Sequence, residues 1–230
     1  MLSEVGEAGQ QSLLNTRVLI IGAGGLGAPA LPYLAGAGIG NITIVDDDEV
    51  SISNLHRQTI YKDSDAGKNK ADLAAAYIKQ LNPEINVLSI PVRLTPQNAA
   101  EICEDFDVIL DGSDNFETKT LLNLVSIQTK TPLISASVEN YNGIAAIFAG
   151  YEDAPCYRCL HPELPLDCAN CAEGGILGTV AGLAGMYQAH LTLCYLLGNE
   201  GVKPGTVLSF DFRYFRMRYL QLPKNPECAC

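Results

Sequence analysis

The feature that most constrains this fold is a glycine-rich turn that follows directly on an apolar run. Residues 17–22 read Arg-Val-Leu-Ile-Ile-Gly, a branched and apolar composition typical of a buried parallel strand. The turn then supplies glycines at four closely spaced positions, Gly22, Gly24, Gly25 and Gly27. Glycines allow a tight turn and a close approach of the backbone to a phosphate, and the helix start that follows offers free N–H groups. The pattern predicts a strand, a turn and a helix that together bind a nucleotide.

A second apolar run, residues 42–45, ends in Asp46, nineteen positions after Gly27. A carboxylate at this point of a βαβ unit can accept hydrogen bonds from both hydroxyl groups of a ribose. The glycine pattern does not by itself separate ATP from NAD. An NAD(P)-dependent oxidoreductase of the Rossmann type is therefore one open alternative.

The residues after Asp46 favour ATP. Residues 46–58 read Asp-Asp-Asp-Glu-Val-Ser-Ile-Ser-Asn-Leu-His-Arg-Gln, and this loop should lie at the carboxyl edge of the sheet, beside bound phosphates. A dehydrogenase needs no such cluster of acids, Asn54 and Arg57 there. Ser-Asn-Leu-x-Arg-Gln after an Asp-rich strand end resembles the ThiF/MoeB/HesA family, relatives of the ubiquitin-activating enzymes.

The rest of the chain alternates predicted strands and helices, which favours a parallel sheet. We predict helices at 68–81, 95–104, 116–128 and 175–197, and strands at 86–90, 107–110, 132–136, 206–212 and 215–222. Residues 138–149 predict a hairpin around a turn at Asn142-Gly143. The expected fold class is α/β, a Rossmann-like, mainly parallel sheet flanked by helices, with antiparallel strands in the C-terminal half. The resemblance implies one adenylation domain of the ThiF/MoeB type over residues 1–230, with a nucleotide-binding half at about 9–136 and a cysteine-rich loop and carrier-binding half at about 137–230.

The resemblance implies a role for individual residues of an ATP site. Arg57 and Lys70 would contact phosphates, with Lys68 as the competing lysine, and Asp114 would bind magnesium. Asp46 would bind the ribose and Asn115 would support the nucleotide. The other residues expected at the nucleotide are Gly22, Gly24, Gly25, Gly27, Asp48, Ser53 and Asn54.

Six of the eight cysteines form three close pairs, which indicates zinc in a reducing compartment. Spacing alone would allow a local four-thiolate site from Cys156, Cys159, Cys168 and Cys171. The family resemblance instead implies a zinc site that joins Cys156 and Cys159 to Cys228 and Cys230, and we prefer it. The terminal pair is Cys-x-Cys where the family has Cys-x-x-Cys, so we expect a distorted or weak site. Cys171 would then match the family's reactive cysteine, with Cys168 able to resolve or replace it.

The resemblance implies ATP-dependent adenylation of the C-terminal glycine of a ubiquitin-like sulfur-carrier protein, of the ThiS or MoaD type, in thiamine or molybdopterin biosynthesis. It also implies a homodimer, and a separate sulfur donor is expected because no rhodanese domain follows. Family members usually begin with a helix whose arginine reaches the neighbouring subunit's ATP, but residues 1–10 contain no arginine or lysine. We therefore expect a slow enzyme, and a nonenzymatic nucleotide- and carrier-binding subunit is a second alternative.

Composition excludes other classes of protein. A net charge of −11 disfavours a nucleic-acid partner. The first residues show neither the basic nor the apolar region of a secretory signal, so the expected location is the cytoplasm. Two uncharged runs, 18–45 and 174–199, are long enough to raise the question of a membrane span, but glycines, prolines and polar residues inside them favour a buried core.

Overall fold

One mixed sheet organises the chain in the computed structural model, which describes residues 2, 5–151, 153–162 and 175–228. Eight strands lie in the order β3-β2-β1-β4-β5-β6-β7-β8. Neighbours from β3 to β5 are parallel, and those from β5 to β8 are antiparallel. This confirms the predicted fold class. The strands are β1 Arg17–Ile21, β2 Asn41–Val45, β3 Asn86–Ile90, β4 Val108–Asp111, β5 Leu133–Glu139, β6 Asn142–Phe148, β7 Thr206–Asp211 and β8 Arg216–Gln221.

Helices cover the sheet on both faces, which explains why the central strands are mostly apolar. Four consecutive residues of β1, β2 and β4 are buried, as expected for parallel strands covered on two sides. Side chains alternate between two apolar clusters, so that Ile20 belongs to one and Leu19 to the other. The helices are α1 Gly6–Asn15, α2 Gly27–Gly36, α3 Lys70–Leu81, α4 Ala99–Ile102, α5 Phe116–Thr129, α6 Tyr157–Leu160 and α7 Gly178–Leu196.

The predicted hairpin exists, but its turn was placed two residues too late. β5 and β6 pair in register up to Glu139 and Asn142, and the turn is formed by Asn140 and Tyr141. Asn140 has φ 53°, a left-handed conformation that asparagine tolerates better than most residues. Gly143 lies within β6, where an added Cβ would overlap the ring of Phe210. This glycine serves packing and not the turn.

The helix predicted at 95–104 is also corrected. α4 covers only Ala99–Ile102, and the residue before it is Asn98. The Asn98 side chain accepts a hydrogen bond from the N–H of Thr95 at 2.8 Å and donates one to the carbonyl of Arg93 at 2.9 Å. These bonds hold residues 93–98 as a turn, because an asparagine side chain competes with helical hydrogen bonding.

The long apolar helix α7 packs against α2 through small residues. An added Cβ on Gly185 would overlap the carbonyl of Leu26 at the start of α2. The close approach buries Val180, Ala181 and Ala184. Among the described residues, no helix has both the length and the apolarity required to cross a bilayer.

Candidate functional site

A large cleft opens at the carboxyl ends of the parallel strands. Its volume is about 1150 Å³, and its lining includes the ends of β1 and β2 and the loop that follows β4. Strand β1 lies between β2 and β4, so the connections from its two neighbours diverge at this point. Open α/β sheets bind ligands in the crevice formed in this way.

The glycine turn forms the floor of the cleft. Gly22, Gly24 and Gly25 line it, and Gly22 has φ 91°, a conformation that favours glycine. Gly27 does not line the cleft. A Cβ on Gly27 would overlap the carbonyl of Gly22, so this glycine lets the helix start pack closely against the turn.

Asp46 fixes the glycine turn and faces the cleft. Its carboxylate accepts hydrogen bonds from the N–H groups of Ala23 at 2.7 Å and Asp48 at 2.8 Å, one on each oxygen. Each oxygen keeps a further lone pair for a ligand hydroxyl. Burial raises the pKa of Asp46 above its ordinary value, against the lowering effect of these hydrogen bonds. The hydroxyl of buried Tyr61 donates to the Ala23 carbonyl at 2.8 Å. The backbone N–H and the carbonyl of Ala23 are therefore both hydrogen-bonded.

The structure separates the two competing lysines. Lys70 is the first residue of α3 and lines the cleft, with a side chain that is 5% exposed. Its ammonium lies 2.9 Å from Asp48, whose side chain is 67% exposed. Lys68 lies outside the cleft lining, is 57% exposed and pairs with Asp65 at 3.2 Å. Lys70 is therefore the lysine that can reach a ligand here.

The predicted loop 46–58 contributes six residues to the cleft lining, and its second half contributes Asn54, Arg57 and Gln58. Arg57 and Asn54 line it, and Arg57 Nη1 lies 2.9 Å from Nε2 of His56. Ser53 is exposed, contacts another serine hydroxyl and is not part of the lining. Sequence reasoning assigned no role to Gln58, which lines the cleft, is 3% exposed and has an Oε1 with no hydrogen-bond partner among the described residues.

The loop after β4 brings Asp114 and Asn115 to the opposite wall. Asp114 is exposed and lines the cleft. Asn115 also lines it, and its side chain accepts the N–H of Thr118 at 2.8 Å as the N-cap of α5. Asn115 therefore has a structural role in addition to any contact with a ligand.

Sequence reasoning missed a buried ion pair beneath this loop. Asp111, the last residue of β4, is fully buried, and Lys119 of α5 lies 2.8 Å from it with 4% of its side chain exposed. Asp111 also accepts hydrogen bonds from the backbone and hydroxyl of Ser113 and from the hydroxyl of Ser135. An acid that ends a buried strand, with a lysine on the helix that follows, is the signal that could have indicated the pair.

The other end of the cleft is formed by the antiparallel strands. Asp211 of β7 and Arg216 and Arg218 of β8 belong to its lining. Every residue of β8 is exposed. The glycine turn, Arg57 and Lys70 at one end thus share a single cleft with the exposed strand β8 at the other.

Three of the four predicted zinc ligands lie together. Sγ of Cys156 lies 3.6 Å from Sγ of Cys228 and 3.9 Å from Sγ of Cys159. The N–H of Asn225 donates to Sγ of Cys159 at 3.4 Å. The terminal segment therefore meets the Cys156 and Cys159 pair, as the family pattern implies. Cys168, Cys171 and Cys230 lie outside the described residues, and the chemical role of Cys171 stays a prediction.

The chain is similar to known proteins along its whole length. The model of the ThiF family matches residues 1–230. The chain is 42% identical to the adenylyltransferase and sulfurtransferase MOCS3 of Anopheles gambiae, over all of this chain and 52% of that protein. It is 40% identical to the SAMP-activating enzyme E1 of Haloferax volcanii, over 99% of this chain and 84% of the relative. A sulfur carrier protein adenylyltransferase of Thermus thermophilus is 39% identical, over 99% of this chain and 86% of that protein.

The chain thus spans about half the length of the MOCS3 relative but most of the length of the other two. Among solved structures, E. coli MccB with ATP superposes with a TM-score of 0.83 at 21% identity, over 96% of this chain and 67% of that one. At this identity the likeness establishes the fold alone.

Proposed function

Because the chain belongs to the ThiF family, we propose that it adenylates the C-terminal glycine of a ubiquitin-like sulfur-carrier protein. The carrier's carboxylate attacks the α-phosphate of ATP, a phosphorus–oxygen bond forms, and the bond to pyrophosphate breaks. The products are carrier-AMP and pyrophosphate. The observation that carries this proposal is a single cleft that joins a glycine turn, Arg57, Lys70 and Asp114 to the open sheet surface of β7 and β8.

Within the cleft, each part of the nucleotide has a candidate partner. The free lone pairs of Asp46 suit the ribose hydroxyls, and the glycine turn suits the phosphates. Lys70 uses one N–H on Asp48 and keeps two for phosphate oxygens. Arg57 adds a second cation where negative charge develops on the α-phosphate and on the departing pyrophosphate.

Magnesium fits the same site. Asp114 offers an exposed carboxylate, and no hydrogen bond or ion pair engages its side chain within the described ranges. Hard carboxylate oxygens suit Mg²⁺, which is commonly held by one or two carboxylates together with phosphates of the substrate. When bound there, magnesium would neutralise charge on the phosphates.

Zinc fits the cysteine cluster by distance. Zn–S bonds of about 2.3 Å in a tetrahedron place neighbouring sulfurs about 3.8 Å apart. The observed Sγ separations from Cys156 are 3.6 and 3.9 Å. We propose Cys156, Cys159, Cys228 and Cys230 as the ligands, with a structural role for the metal. Such a site would hold the end of the chain against α6.

The remaining parts of the proposal concern partners. The Thermus thermophilus relative is named for a sulfur carrier protein, which supports a carrier of this class as the substrate here. We further propose a homodimer, as the family resemblance implies. We also propose a separate sulfur donor, since the residues of the cleft serve adenylation and not the delivery of sulfur.

The test is carrier-dependent ATP–pyrophosphate exchange, measured with candidate carriers of the ThiS and MoaD types. Wild-type protein should exchange only with the correct carrier, and Asp114→Ala should abolish exchange in a folded protein. Glu117→Ala, which removes another exposed acid on the first turn of α5, is the matched control.

Near-normal exchange in folded Asp114→Ala would refute the magnesium assignment. ATP binding without exchange with any carrier would favour the nonenzymatic subunit. Binding of NAD(P) in place of ATP would favour the oxidoreductase.

A further inference from the structure

Asp111 and Lys119 form a polar network in which the acceptor sites of the carboxylate and the donors of the ammonium all have partners. Oδ1 of Asp111 accepts the N–H and the O–H of Ser113, at 3.0 and 2.5 Å. Oδ2 accepts the ammonium of Lys119 at 2.8 Å and the hydroxyl of Ser135 at 2.6 Å. An ionised carboxylate has about four acceptor sites, so Asp111 is saturated.

Lys119 is saturated in the same way. Besides Asp111, its ammonium donates to the carbonyl of Ala136 at 2.7 Å and lies 3.4 Å from the hydroxyl oxygen of Ser135. A lysine ammonium has three N–H donors, and these three partners engage all of them. Although Lys119 borders the cleft, it has no donor left for a phosphate. Any effect of Lys119 on a bound ligand must therefore pass through the residues that its ammonium holds.

The network ties three elements to one short loop. Lys119 belongs to α5, Ser135 and Ala136 belong to β5, and Asp111 ends β4. The element held between them is the loop 112–115, whose Ser113 is bound twice and whose next residue is Asp114. We propose that Asp111 and Lys119 are positioning residues that hold Asp114 in place for the magnesium–nucleotide complex, an inference that rests on the proposed function.

Physical reasons favour this role over a purely stabilising one. A buried ion pair contributes little net stability compared with apolar residues of the same size, because both charges lose their hydration. It does fix geometry, since each charge demands its partners at short range. Residues that orient a metal ligand typically change metal affinity by about 10- to 100-fold when they are mutated.

The experiment uses Lys119→Met, which removes the charge and keeps most of the length of the side chain. Binding of a fluorescent ATP analogue is measured in magnesium titrations and also without magnesium. We expect the magnesium concentration at half-maximal binding to rise about tenfold or more, with little change in the metal-free affinity. Hydrogen exchange of the segment 112–116 should also become faster, because the amide of Ser113 loses its fixed acceptor.

Lys130→Met is the control, since Lys130 is the exposed residue that ends the same helix. Lys119→Met leaves a buried carboxylate unpaired and could prevent folding. The double variant Asp111→Asn/Lys119→Met removes both charges, and it should fold and still require more magnesium. An unchanged magnesium midpoint and unchanged exchange of 112–116 in either folded variant would overturn the positioning role.

A loss of both affinities in parallel, in proportion to a smaller folded fraction, would also overturn it in favour of a purely stabilising pair. If wild-type protein binds no nucleotide at any magnesium concentration, the proposed function itself fails. The two failures are therefore distinguishable.

Discussion

Substitution of Lys70 by methionine should lower the rate of catalysis strongly while it leaves the stability of the fold nearly unchanged. Methionine keeps most of the apolar stem, which packs at the start of α3 with only 5% of the side chain exposed. The partner left behind, Asp48, is 67% exposed and becomes hydrated, so no charge is buried without compensation. Loss of an ion pair to so exposed a partner costs about 1 kcal/mol or less.

The effect on rate should be much larger. Loss of one preorganised donor to developing charge costs about 100- to 1000-fold in rate, or roughly 2.7–4 kcal/mol. The measurement is carrier-dependent ATP–pyrophosphate exchange, accompanied by urea unfolding of the same preparations. Lys70→Met should lose at least about a hundredfold in exchange while its unfolding midpoint stays close to that of the wild type.

Lys68→Met is the matched control two residues away. Lys68 is 57% exposed and lies outside the cleft lining, so its loss should leave exchange nearly unchanged. A larger loss of exchange in Lys68→Met than in Lys70→Met would refute the assignment of the phosphate-binding lysine. An equal small loss in both would show that neither ammonium meets the transition state.

Three further predictions concern the metal, pH and packing. Zinc analysis should show less metal in Cys228→Ser than in Cys168→Ser, and the reverse would support the local four-cysteine site. Because burial raises the pKa of Asp46, acidification should protonate it and weaken ATP binding at a higher pH than for an ordinary aspartate; Asp46→Asn should flatten that dependence in calorimetric titrations. Gly143→Ala should lower the free energy of unfolding by about 1–3 kcal/mol, because the added methyl overlaps a ring of β7, whereas Gly182→Ala, with open space around it, should not do so in urea unfolding.

Local patterns predict the elements of this fold better than its long-range contacts. The branched apolar runs indicated buried parallel strands because such strands are covered on both faces. The glycine turn indicated the loop and the helix that follow the first of these strands. The Asn142-Gly143 turn was wrong because a glycine there serves contact with Phe210, a residue far along the chain. The choice between Lys68 and Lys70 depended on where α3 begins, which spacing alone does not decide.

In the candidate site, too, local patterns predict the position of loop residues but not the contacts between distant parts of the chain. Arg57 and Asp114 lie in loops that follow strand ends, where sequence position indicates the edge of a parallel sheet. The partners of Asp111 come from β5 and α5, and only the folded sheet brings Lys119 and Ser135 to it. Gln58 was missed for a similar reason, since its burial depends on packing against the glycine turn.

The central position of β1 has a consequence for how the chain folds during synthesis. β1 pairs on one side with β2, which follows it closely, but its other partner, β4, ends at Asp111. The N–H of Arg17 at the start of β1 binds a carboxylate 90 residues further along the chain. At roughly 5–20 residues per second, a ribosome needs on the order of 5–18 s to supply that stretch. During this interval one side of β1, whose residues 18–21 are all apolar, has no partner. The emerging chain is therefore most exposed to aggregation and to chaperone binding before β4 is made.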